Sequence, residues 1–157
     1  MNGLLLRAVL AFLLLPGVVA FLVPLLLLAP AQPRSFDIVR GLVPLTLGTT
    51  GLLWCVREFY VAGRGTLAPW APPQALVVTG LYRFSRNPMY IAVLLLLSGW
   101  ALAFTSTPLV VYAVAMLIAF HTRVVLFEEP WLAERHGSDW LKYKHQVPRW
   151  LGSRRSD

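Results

Sequence analysis

Two short stretches hold residue types able to handle a charged ligand. The first, Gly80-Leu-Tyr-Arg-Phe-Ser-Arg-Asn-Pro-Met-Tyr90, sets Arg83 and Arg86 at the mouth of the longest apolar run. Asn87 has the short polar side chain favoured at a helix N-cap, and Pro88 suits the first helical position, where its missing N–H costs nothing. A helix begun there directs its free amides and positive dipole end toward the two arginines, a combination that receives an anion. The second stretch is Glu128-Glu129-Pro130, at the end of another apolar run. Two carboxylates at the C-terminal end of a helix oppose its dipole and lie close to lipid, so cations must compensate them. Successive helical residues point about 100° apart, so these acids do not share a proton. With one acid facing Arg83 or Arg86, the other is left for a bound cation.

His121 lies seven residues before Glu128, on nearly the same helix face and about two turns deeper, which makes it a candidate for the pocket wall. His136 and His145 fall in the polar tail and are expected in solvent. The spacing of His121, Glu128 and Glu129 matches no dedicated ligand pattern, so no metal site is expected. A plainer arrangement uses the same residues: arginines anchoring a capped membrane helix, and juxtamembrane acids salt-bridged to them.

These residues need elements to position them, and composition says where those elements lie. The 157 residues are 57% hydrophobic and 13% charged, too little polar surface for a soluble domain. The net charge of +7 would favour nucleic acid in a soluble protein. Here the basic residues stand between and after apolar runs, the distribution of positive-inside topology, and nucleic acid is not expected as a partner. Cys55 is the single cysteine, without a partner for a disulfide or a zinc site.

The expected architecture is one all-α integral membrane domain, 1–157, with about four transmembrane helices. Residues 4–28 contain no charge between Arg7 and Arg34 and form the first span. A signal peptide cleaved near Ala29-Pro-Ala31 is the rival reading, but the apolar region exceeds the usual ~7–15 residues. A second span covers 38–56, where Gly41, Gly48 and Gly51 permit close helix contact. The connector 57–87 is rich in Gly and Pro. From Pro88 to Thr122 no formal charge occurs, and Thr105-Ser-Thr-Pro108 divides this run into spans 88–104 and 108–127, a helical hairpin. The tail, 128–157, alternates charged residues with Trp131, Leu132, Trp140, Leu141 and Tyr143, as in a pair of short interfacial helices separated at Gly137. Four spans place the amino terminus, the connector and the tail on one side, with twelve Lys and Arg against Arg34 and Arg40 opposite. That side is cytosolic, so the protein is expected to be multi-pass in the inner (cytoplasmic) membrane with its site facing the cytosol. The hairpin brings the Arg83 to Tyr90 segment and the Glu128-Glu129 pair to one membrane face, around a common cavity that a zwitterionic ligand could bridge.

In order along the chain, Gly63-Arg-Gly-Thr66, Leu76-Val-Val-Thr-Gly80, Tyr82-Arg83, Arg86-Asn-Pro-Met-Tyr90, His121, Glu128-Glu129-Pro130, Tyr143 and Val147-Pro-Arg-Trp150 together resemble the isoprenylcysteine carboxyl methyltransferase family, itself related to membrane phospholipid N-methyltransferases. The resemblance covers roughly residues 57–150. It implies S-adenosylmethionine as methyl donor, held on the cytosolic side between the last two spans and the tail, and a lipophilic small-molecule or lipid acceptor arriving from the bilayer. By this similarity Tyr82, Arg83, Asn87, Pro88, Tyr90, His121, Glu128 and Glu129 are cofactor-binding, and Arg86 and Glu129 are the catalytic candidates. The sequence departs from the pattern where Asn87 replaces the usual His, Ala92 stands in place of a Gly, and Gly152 replaces a Pro. These departures bear on the acceptor more than on the donor.

The residue types suit that chemistry independently. A donor carrying a carboxylate, an ammonium and a sulfonium needs an anion receptor, acids and aromatic surface. The expected function is methyl transfer to a prenylcysteine-like carboxylate, a thiol or a lipid amine. The alternative is a non-catalytic membrane subunit with a structural Arg/Glu network and a partner-binding tail. A heme or metal protein is disfavoured by the scarcity of ligands in the spans.

Overall fold

Apolar runs bounded by Pro and Gly leave the backbone to satisfy its own hydrogen bonds, and in lipid only helices do so within one segment. A computed structural model describes residues 13–29, 36–63 and 75–152, and among them every regular element is helical. α1 comprises a π-helical stretch, Leu13–Leu22, and a short α-helix, Val23–Leu28. Pro16 lies inside the π-helical part, where it removes one ladder N–H. The first part of the 4–28 span therefore falls outside the described residues. Val19 and Ala20 accept side-chain hydrogen bonds at their carbonyls from Tyr112 and Trp100, both at 3.1 Å, and these pin α1 to the rest.

α2, Ile38–Val61, begins at Asp37, whose side chain accepts from the Val39 amide, and runs five residues past the expected end at 56. Val56 to Val61 contains no Gly or Pro, and the helix stops only at Ala62 and Gly63. Next comes a 3-10 turn, Gly80–Arg83, and then α3, Pro88–Phe104, with the bounds expected from Asn87-Pro88 and the Thr105 break. Thr105 adopts the left-handed conformation (φ 45°), and α4, Thr107–Arg123, starts two residues later.

α2 packs closely against α3, and glycine makes this possible. A Cβ on Gly48 would lie 2.8 Å from the Ala92 carbonyl oxygen and the Leu96 amide nitrogen; one on Gly41 would lie 2.5 Å from the Gly99 oxygen. Gly99 in turn faces Leu45, whose backbone nitrogen would be 2.9 Å from an added Cβ. Small residues at the crossing supply the dispersion contact that lipid does not otherwise drive. The Asp37 amide donates to the Ala103 carbonyl at 2.8 Å, so the start of α2 sits beside the end of α3. Leu52, Ala92, Val93, Leu96, Leu97 and Phe120 form the buried core.

The end of α4 departs from expectation. The helix does not stop near 127 but passes through a π-helical turn, Val124–Glu128, directly into α5, Glu129–Gln146. Pro130 explains the turn: its ring would clash with a carbonyl one turn back and its N–H is missing, and a π-bulge absorbs both. The two expected tail helices meet at Gly137 (φ 49°, ψ −120°), but the first of them continues the fourth apolar helix instead of standing apart. Two helices, Ile38–Val61 and Thr107–Gln146, are long and apolar enough to cross a membrane; Pro16–Leu28 and Pro88–Phe104 are shorter apolar helices. Leu, Val and Trp side chains exposed along them, such as Leu42, Val43, Leu47, Val111 and Ile118, are what a lipid-facing surface requires.

Candidate functional site

The Val124–Glu128 turn delivers two acids in succession to the start of α3, and each finds its own cations. Glu129 is buried and accepts from Arg86 Nη1 at 2.8 Å through Oε1. Arg149, in the tail, grips the same carboxylate with both ends of its fork, Nε at 2.7 Å and Nη2 at 3.0 Å. Such bidentate, charge-assisted contacts fix geometry as well as charge. Arg86 lies 5.3 Å above the Trp140 ring, and its side chain is only 7% exposed.

Glu128 is more open, with a side chain 31% exposed. Its Oε1 accepts from the Tyr90 hydroxyl and from Arg123 Nε at 2.8 Å, while Arg123 Nε also reaches the Tyr90 oxygen at 3.2 Å. Tyr90 stacks on Phe120, with centroids 4.4 Å apart. One acid is thus enclosed between two guanidiniums, and its neighbour faces outward beside an aromatic pair.

The tail segment 147–150 closes over the start of α3. The Arg86 amide donates to the Pro148 carbonyl at 2.9 Å, and the Arg149 carbonyl accepts from Ser85 Oγ at 3.2 Å and Asn87 Nδ2 at 3.0 Å. Trp150 Nε1 donates to His121 Nδ1 at 3.3 Å, and the two rings stack. Underneath, the Tyr143 hydroxyl donates to the Tyr82 carbonyl at 2.8 Å.

Electrostatics follow from these contacts. Burial alone would raise the Glu129 carboxyl, but the hydrogen bond from Arg149 and the charges of Arg86 and Arg149 outweigh it and hold its pKa below the usual carboxylate value. Burial pulls the Arg86 guanidinium down despite Glu129, whereas the hydrogen bond to Glu129 raises Arg149. Burial also pushes up the Tyr143 phenol.

Of the residues singled out from the sequence, the structure brings Arg86, Asn87, Pro88, Tyr90, His121, Glu128 and Glu129 together. Arg83 is exposed and turned elsewhere, toward a second hollow of about 600 Å³ that Lys142, His136 and Asp139 also line. The Tyr82 ring packs into a separate apolar cluster with Cys55 and Val77, so only its carbonyl takes part. Asn87 makes no side-chain N-cap bond; its amide holds the tail instead, while the Ser85 hydroxyl accepts from the Asn87 N–H at 3.1 Å. The expectation of open space between the two helix ends is not met at Arg86 and Glu129, which touch directly. Arg123, Arg149, Ser85 and Trp140 were not anticipated as site residues. The charge requirement of Glu128-Glu129 was the available signal, because two acids near lipid call for at least two cations and Arg86 answers only one of them.

A family model described as phospholipid methyltransferase matches residues 38–139, from the start of α2 into the second half of α5. No curated protein and no solved structure matches the chain. The match spans well over half of the sequence and includes Arg86, Tyr90, Glu128 and Glu129. The chain belongs to the phospholipid methyltransferase family, a family of membrane methyltransferases.

Proposed function

We propose that the protein is a multi-pass membrane methyltransferase that takes its methyl group from S-adenosylmethionine at a cytosol-facing site and passes it to a lipophilic acceptor. The observation that carries this reading is the meeting of Arg86, Tyr90, Glu128, Glu129 and Arg149 at one end of the bundle, in a chain of a methyltransferase family. Four crossings, with α3 and α4 as a hairpin, agree with the antiparallel contacts of α2 with α3, and by the positive-inside rule such crossings would put twelve of the fourteen Lys and Arg on the side of the site.

The residues fit the donor. Arg86 Nε is a buried N–H without an acceptor among the described residues, and a carboxylate would satisfy it. Glu128 retains lone pairs toward solvent for an ammonium or a hydroxyl. Tyr90, Phe120, His121 and Trp150 offer aromatic faces to a cation or a base. S-adenosylmethionine supplies a methyl group on a sulfonium whose charge is discharged as the group leaves. On this reading Arg86 orients a carboxylate of the donor or the acceptor. Glu129, kept ionised, holds Arg86 in place and acts on positive charge electrostatically. The tail over the α3 start excludes water, and alignment in a dry site then supplies most of the rate.

A non-catalytic subunit is the second reading, and it draws its support from the direct Arg86–Glu129 contact, which a purely structural network also produces. Calorimetric titration of detergent-purified protein with S-adenosylmethionine separates the two: saturable binding is expected, and its absence leaves the subunit. A labelled-methyl assay against total membrane lipids and a panel of hydrophobic thiols, acids and amines then identifies the acceptor. Methylation at the wild-type rate by Arg86→Ala or Glu129→Gln would remove the assigned roles.

A further inference from the structure

The end of α2 holds a buried acid that the methyl-transfer site does not use. Glu58 lies in the last turn of that helix, where the dipole is negative and lipid is close, yet its side chain is only 9% exposed. A carboxylate so placed needs a cation. Arg57 Nη1 donates to Oε1 at 2.9 Å, but the Arg57 side chain is 67% exposed, and the other oxygen accepts from the Thr79 hydroxyl. An ionised carboxyl has about four lone-pair positions, and among the described residues these two donors fill half of them.

The acid opens on a hollow of about 510 Å³ lined by Leu53, Trp54, Arg57, Glu58 and Gly80. Gly80 lets the walls meet: its φ is +57°, and a Cβ there would lie 2.8 Å from Trp54 Nε1 and 2.9 Å from Glu58 Cγ. Leu53 and Trp54 are half exposed on the apolar side of the helix. The hollow thus offers a carboxylate with spare acceptor capacity, an indole face, a mostly solvated guanidinium, and an apolar edge toward lipid. An ammonium suits the first two, a phosphate suits the guanidinium, and an acyl chain suits the edge. None of the lining residues belongs to the Arg86–Glu129 cluster.

We infer that this hollow seats the headgroup of a zwitterionic phospholipid bearing a primary ammonium, held as a bound lipid at a place distinct from the methyl-transfer site. The ammonium hydrogen-bonds Glu58 beneath Trp54, and the phosphate pairs with Arg57. Thr79 and Gly80 lead straight into the Gly80–Arg83 turn, so the lipid also braces the connector that delivers Arg86.

The test uses full-length protein in nanodiscs of phosphatidylglycerol containing phosphatidylethanolamine, with retained lipid counted by native mass spectrometry and no methyl donor present. The wild type is expected to retain phosphatidylethanolamine over phosphatidylglycerol, and Glu58→Gln to lose that preference by about tenfold or more, the scale of one charge-assisted hydrogen bond. Arg57→Gln, at a largely solvated side chain, is expected to fold and to lose the preference as well. Equal retention of the two lipids by the wild type, or an unchanged preference in both variants, overturns the inference. So does displacement of the lipid by soluble phosphoethanolamine at matching concentration, which would make the hollow a small-molecule site. Because no donor is present, lipid retention is read independently of methyl transfer, so failure of this test leaves the enzyme reading standing, and failure of the labelled-methyl assay leaves the lipid site standing.

Discussion

α3 is held along its body and at its N-terminal entry by opposite means. Along its body, from Ala92 to Ala103, it lies against α2 through Gly41, Gly48 and Gly99, with backbone against backbone and no charge involved. At its N-terminal end, Arg86, Asn87 and Tyr90 are fastened by ions and hydrogen bonds to residues 38 to 62 positions away. The first contact depends on shape alone and tolerates any pH or salt. The second depends on ionisation and on a tail that is covalently remote, so it can be opened without disturbing the first. The difference separates scaffold from candidate site.

The largest effect that would break this contrast comes from removing the shared anion. Glu129→Ala leaves Arg86 buried beside Arg149 with no counter-charge, and a loss of about 3–5 kcal/mol is expected by thermal or denaturant unfolding in detergent. A shift within the noise would mean that the polar end contributes nothing to the fold. Next comes the apolar contact. Gly48→Ala forces a methyl against the Ala92 carbonyl and should lose about 1–3 kcal/mol, whereas Gly51→Ala, whose Cβ meets Ala92 Cβ at an ordinary 3.4 Å, should be nearly neutral. Equal effects at the two glycines would remove the close-approach argument.

Much of the apolar contact was legible in the sequence, and much of the polar cluster was not. Asn87-Pro88 and Thr105 bracket α3 because proline and a break act locally, and Gly41 and Gly48 announce a contact because a residue without a side chain lets two backbones approach, although Gly51, equally open in the sequence, makes only an ordinary contact. Arg149 was quoted as part of a motif, but its grip on Glu129 depends on how a tail folds back over 20 residues, and no periodicity encodes that. The same holds for Asn87, whose local preference for capping yielded to a tertiary bond with the Arg149 carbonyl.

Titration sharpens the comparison further. Glu129 is held below its ordinary value of 4.5, so its contribution to stability is complete at neutral pH and is lost as pH falls below that value and through the depressed one. Melting temperature followed from pH 7 to 3 should fall more steeply for the wild type than for Glu129→Gln, while Gly48→Ala should keep the wild-type slope. Parallel slopes for the wild type and Glu129→Gln would exclude Glu129 as the acid-sensitive group. A small loss is expected of His121→Ala, which removes the acceptor of the Trp150 indole at an exposed position and should shift stability by about 0.5–1.5 kcal/mol.

The unbroken passage of α4 through the Val124–Glu128 turn sets a height as well as a direction. At about 1.5 Å per residue, the 22 residues from Thr107 to Glu128 measure roughly 33 Å, close to the ~30 Å thickness of a hydrocarbon layer. The helix is long enough to serve as a ruler across such a layer. On the proposed topology, with its far tip at one water boundary, it lifts the two acids to the other, where the proposed water-borne donor and lipid-borne acceptor would meet on the same level.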